Sequence, residues 1–116
     1  MIELPVKINV LGTTYIIGTS RPNEDENLVN VDAYCDHTTK RIVINKDYAE
    51  GATIGNPEYY MKKVLRHEII HAFMYESGLD EQATFDDAHF EQMVDWIAIQ
   101  HEKLHAIYQE LGVLGD

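Results

Sequence analysis

The ten residues Val64-Leu65-Arg66-His67-Glu68-Ile69-Ile70-His71-Ala72-Phe73 constrain this chain more than any other stretch. They carry a His-Glu-x-x-His pattern inside an apolar frame. On an α-helix, positions i and i+4 fall about 40° apart, so His67 and His71 share a face and can grip one ion together. Glu68 lies about 60° from His71 by the same angular count. It is poorly placed for that grip but can reach a water beside the ion. Two imidazoles and a neighbouring carboxylate base form the arrangement of a zinc hydrolase.

The same spacing occurs again at His101-Glu102-Lys103-Leu104-His105. There Lys103 places a positive charge between the histidines, and little chain follows to supply another ligand. The first copy, with Ile69 and Ile70 inside it, reads as a buried helix that excludes water. The second reads as a solvated helix face.

A catalytic zinc takes three protein ligands and keeps one position open. Glu91, twenty residues after His71, is the best candidate for the third. Glu91 and Asp95 are again i and i+4, so they share a face of a second helix. Asp95 is then placed to accept the free ring N–H of a ligand histidine, a bond that fixes the tautomer and raises basicity. Met93, Val94, Trp96 and Ile97 surround the pair, and they predict a buried stretch.

His-Glu-Ile-Ile-His followed by a downstream helix bearing Glu-x-x-x-Asp resembles the gluzincin group of zinc metallopeptidases. The wording LRHEIIHAF…YESG, then FEQMVDWIAIQ, is similar to small proteins of bacterial phages and mobile elements, some of them compared with ImmA/IrrE-type metallopeptidases. The two stretches cover under half of the chain. The resemblance implies zinc on His67, His71 and Glu91, Glu68 as general base, and a minimal zincin-like domain. It departs at Met93-Val94, where the ImmA/IrrE pattern usually carries a second glutamate or an alanine-rich run. In the zincin fold an edge strand beside the metal helix holds the substrate backbone, and Ile42 to Asn45 is the candidate here. An open strand edge offers N–H and C=O groups to an extended peptide.

With 116 residues the chain is expected to form one domain, 1–116, and to bury about two-thirds of its unfolded surface. Nine basic residues against twenty acidic ones leave a net charge of −11. That balance argues against nucleic acid and anionic membranes as partners. A single cysteine, Cys35, excludes an intrachain disulfide. It reads as small apolar filler in a strand rather than a nucleophile. Met1 to Pro5 lacks the basic and apolar regions of a signal peptide, and no apolar run reaches membrane-spanning length. A cytoplasmic protein is expected.

Along the chain, Val6, Ile8 and Val10 alternate with Lys7 and Asn9 as a half-buried strand. A turn at Leu11-Gly12-Thr13 and the run Thr14–Ile17 complete a hairpin. Gly18 to Asn30 reads as a surface loop. Val31–Asp36 and Arg41–Asn45 read as strands joined by a turn, with Asp47–Gly55 as a loop. Asn56 and Pro57 start a helix that Gly78 ends after Ser77. Tyr60, Val64, Leu65, Ile69, Ala72 and Phe73 are its expected buried surface. A polar link over 79–87 leads to a helix from about Ala88 to Leu111. There Met93, Trp96, Ile97, Leu104, Ile107, Tyr108 and Leu111 recur as an apolar stripe. The expected class is α+β: a mostly antiparallel sheet, then two long helices crossing at a metal.

The expected activity is hydrolysis of a peptide bond in a peptide or protein substrate, with a zinc ion as cofactor. The rivals are an inactive or structural zinc module of phage or mobile-element origin, and hydrolysis of something other than peptide. A closed fourth metal position would mark a structural site.

Overall fold

The computed structural model describes residues 3–50, 55–79 and 87–115. The class is α+β: a four-stranded mixed sheet followed by two long helices in contact with each other. β1 (Val6–Val10) and β2 (Thr13–Ser20) pair antiparallel, with Val10 opposite Thr13. Leu11 and Gly12 make the two-residue turn, both at positive φ (51° and 93°). That handedness matches the twist of the flanking strands. The Asn9 side chain holds the turn by accepting the Gly12 N–H at 2.7 Å.

β2 runs three residues further than the sequence pattern predicts. Gly18, Thr19 and Ser20 pair in parallel with Val43, Ile44 and Asn45 of β4 (Arg41–Asn45). The expected loop therefore begins only after Ser20. The reason lies in β4, where Ile42 to Asn45 are all buried, and a strand buried on both faces needs a neighbour at each edge. β3 (Ala33–Asp36) supplies the other neighbour, antiparallel, with Asp36 opposite Arg41. The strand order is β1-β2-β4-β3.

That order corrects the expectation that Ile42 to Asn45 is a free edge. β4 is an inner strand whose backbone groups are paired on both sides, so it cannot receive a peptide. The edges are β1 and β3. The stretch after β4 is also not all loop: α1 (Lys46–Glu50) follows at once, its start capped by the Asn45 side chain accepting the Asp47 N–H at 2.9 Å.

α2 (Pro57–Ser77) has the ends its sequence predicts. Asn56 accepts the Tyr59 N–H at 3.1 Å, and Gly78, at φ 82°, closes the helix with backbone bonds from Gly78 to Tyr75 and from Leu79 to Met74. Met61, Val64 and Ala72 face the sheet and join a core with Val10, Tyr15, Ile17, Ala33, Ile42 and Ile44. Phe73, expected inside, is 41% exposed. The expected link over 79–87 lies largely outside the described residues.

α3 (Asp87–Leu111) packs on α2 with an unexpected face. Among the side chains of α3 that are described, Val94 and Ala98 are the buried ones, whereas Met93, Trp96, Ile107, Tyr108 and Leu111 are exposed, Trp96 by 55%. Small side chains at Val94 and Ala98 let the helices approach. Arg66 of α2 then fastens them by donating its Nε–H to the Ala98 carbonyl at 2.7 Å. The face against α2 thus carries Glu91, Val94, Asp95 and Ala98, at spacings of three and four. No described helix is long and apolar enough to cross a membrane.

Candidate metal centre

The crossing of α2 and α3 brings His67, His71 and Glu91 together, each offering one ligand atom. The His71 Nε2 lies 2.7 Å from one Glu91 oxygen, and the His67 Nε2 lies 3.0 Å from the other. The two Nε2 atoms are 3.1 Å apart. A tetrahedral ion with metal–ligand bonds of about 2.0–2.1 Å holds neighbouring ligand atoms about 3.3–3.4 Å apart. An outward shift of a few tenths of an ångström would therefore seat such an ion.

Asp95 stands 3.0 Å from the Nδ1 of His67, and a carboxylate can only accept, so Nδ1 carries a hydrogen. The Nε2 edge of the ring is thereby turned toward a Glu91 oxygen and the Nε2 of His71, where a ring proton or a metal cation would satisfy the carboxylate. Two nitrogens and a carboxylate oxygen are a donor set suited to zinc.

The ligand side chains differ in exposure. His67 and His71 are 16% and 12% exposed, while Glu91 is 52% exposed. The apolar neighbours Met93 and Trp96 do not bury Glu91, because they point to the other side of α3. The α2 half of the site is thus set in the fold, and the α3 half stands near solvent. Lys63, 4.0 Å from Asp95, adds a positive charge at that edge.

Glu68 occupies the same helical stripe as Met61, Val64 and Ala72, which is why it is only 7% exposed. It forms no hydrogen bond or ion pair among the described residues. It lines a cleft of about 420 Å³ together with His67, Glu91 and Asp95. Burial pushes its carboxyl up to about 7, and the nearby Glu91 and Asp32 charges act in the same direction against the opposing influence of His67. The residue is thus buried in the fold while its carboxyl opens on the cleft, with no protein partner among the described residues.

The opposite wall comes from the segment before β3, with Asn30, Val31 and Asp32. Nothing in the sequence marked this segment, because a distant residue positions it. Buried Asn45 donates to the carbonyls of Leu28 (3.2 Å) and Val31 (2.9 Å), and its backbone N–H reaches the Asp32 carbonyl at 2.9 Å. Tyr60 of α2 donates its hydroxyl to the Asp32 carboxylate. An inward polar residue ending an otherwise apolar strand, Ile42-Val43-Ile44-Asn45, was the available signal.

The second His-Glu-x-x-His copy is on the exposed part of α3. The rings of His101 and His105 stack with centroids 6.3 Å apart, and Glu102 reaches toward Arg66 at 3.7 Å. Behind the site, Tyr75 stacks on His37 with centroids 4.2 Å apart and lies 6.4 Å from the His71 ring. The side chain of His89 is outside the described residues. Among those residues His67, His71 and Glu91 make up the group of three that could hold an ion. Comparison with protein-family models, with curated proteins and with solved structures gave no match.

Proposed function

We propose that this chain is a zinc-dependent peptide hydrolase, with His67, His71 and Glu91 holding the metal and Glu68 as general base. One observation carries the reading: Glu68 is buried, has no hydrogen-bond partner among the described residues, and opens into the cleft shared with two members of the ligand group. A structural metal site has no use for such a group. When bound, zinc supplies Lewis acidity, lowering the pKa of a water from about 15.7 towards about 7 and polarising the scissile carbonyl.

The side chains supply the rest. Asp95 keeps the His67 ring in the tautomer that binds metal. Glu68, poised near neutrality, takes a proton from the attacking water and returns it to the leaving amine. The gluzincin likeness and a phage or mobile-element setting belong to this proposal. So does a cytoplasmic site of action, supported by a lone cysteine that calls for no oxidising compartment.

The test is a peptide-library cleavage assay on protein with measured zinc content, with and without chelator. Zinc-dependent cleavage that Glu68→Gln abolishes while retaining the metal is the expected result. Cleavage by the Gln variant at the wild-type rate removes Glu68 from its role. Zinc binding without cleavage removes the hydrolase.

A further inference from the structure

The cleft holds one carboxylate that the proposed chemistry does not use. Glu91 belongs to the metal group, Asp95 is engaged by His67 and lies near Lys63, and Glu68 serves as the base. Asp32 remains. Its backbone is fixed by Asn45, and one of its carboxylate oxygens, Oδ2, accepts the Tyr60 hydroxyl. Among the described residues it has no cationic partner. Tyr48 and Tyr60 line the cleft beside it.

We propose that the Asp32 end of the cleft is a subsite for the cationic side chain of a peptide, a lysine or an arginine, in a chain already read as a peptide hydrolase. The Asp32 carboxylate meets the ammonium or guanidinium group, and the tyrosine rings offer apolar and π surface to the stem and the charge. Burial and the bond to Asp32 push the Tyr60 hydroxyl up to about 12, so Tyr60 stays a donor and keeps the carboxylate turned. The partnerless, nine-tenths buried Glu68 opens into this same cleft, which marks it as a ligand site rather than a solvated acidic patch. A net charge of −11 adds a long-range attraction for cations. An acidic side chain would meet Asp32 and Glu68 as like charges. A neutral one would leave Asp32 without a cationic partner among the described residues.

Binding separates this proposal from turnover. Zinc-loaded Glu68→Gln protein is titrated by calorimetry with acetylated, amidated alanine pentapeptides whose central residue is lysine, arginine, norleucine or glutamate. The lysine and arginine peptides should bind about tenfold tighter than the norleucine peptide, with the glutamate peptide weakest. The advantage should shrink as salt rises from about 0.05 M to about 0.5 M, a readout that needs no further variant. Adding Asp32→Asn, with one zinc per chain verified, should bring the lysine peptide to the affinity of the norleucine peptide.

Equal affinity for lysine and norleucine peptides overturns the subsite. So does an advantage that survives Asp32→Asn or is indifferent to salt, and so does the absence of binding by every peptide. Wild-type protein that selects the lysine peptide yet cleaves none contradicts the hydrolase reading and leaves the subsite standing. Cleavage without preference contradicts the subsite alone.

Discussion

The carboxylate of Asp95 accepts the Nδ1–H of His67 at 3.0 Å and thereby turns the Nε2 edge of His67 toward Glu91 and His71. Two residues on different helices thus fix the orientation of one ring in the candidate metal group. Asp95→Ala should leave one zinc site per chain but weaken it by about 10- to 100-fold. Competition against a chromophoric chelator reads this directly, and an unchanged affinity would show that Asp95 does not act on the metal.

The burial of Glu68 comes at a cost to the fold. Its carboxyl is raised to about 7 against an ordinary 4.5. A raised carboxyl makes the metal-free protein lose stability as pH climbs from about 4.5 to about 7, because the unfolded chain releases its proton first. Glu68→Gln should therefore stabilise the metal-free protein at pH 8 by about 1–3 kcal/mol, and by little below pH 4.5. Urea unfolding at both pH values checks the sign; a destabilised Gln variant at pH 8 would mean that Glu68 has a partner.

Glu76 behaves in the opposite way. Lys40 at 2.8 Å and the Tyr15 hydroxyl at 2.7 Å hold its carboxyl down at about 2, below the ordinary 4.5. A depressed carboxyl contributes stability that is fully present above 4.5 and is lost as pH falls towards 2. The stability difference between wild type and Glu76→Gln should narrow across that window. A difference independent of pH from 5 to 2 would contradict the link.

How far residue spacing reads through to this molecule depends on how local the cause is. The ends of α2 were legible because Asn56, Pro57 and Gly78 act within a few residues of themselves. The candidate metal group was legible because i, i+4 pairs fix which side chains share a face. The place of β4 inside the sheet was not, since the parallel pairing of Gly18–Ser20 with Val43–Asn45 is long-range. Nor was the docking face of α3: its apolar stripe is real, but Val94, Ala98 and the Arg66 bond to the Ala98 carbonyl decide which side meets α2. Asp32 was invisible because Asn45 and Tyr60, remote in sequence, carry it to the cleft.

Asn45 carries an expectation of its own. Replacing it with alanine strands the carbonyls of Leu28 and Val31 and uncaps α1. The loss should be about 2–4 kcal/mol. Chemical denaturation measures it, and a change under about 0.5 kcal/mol would mean that water replaces these bonds.

The most direct measurement is zinc stoichiometry by calorimetric titration of three proteins: wild type, Glu91→Ala, and the double variant His101→Ala with His105→Ala. Wild type and the double variant should each bind one zinc with the same affinity. Glu91→Ala should bind it more than about 100-fold more weakly, beyond the range for outer partners. Undiminished affinity in Glu91→Ala, or loss of the site in the double variant, would contradict a metal centre built where α2 crosses α3.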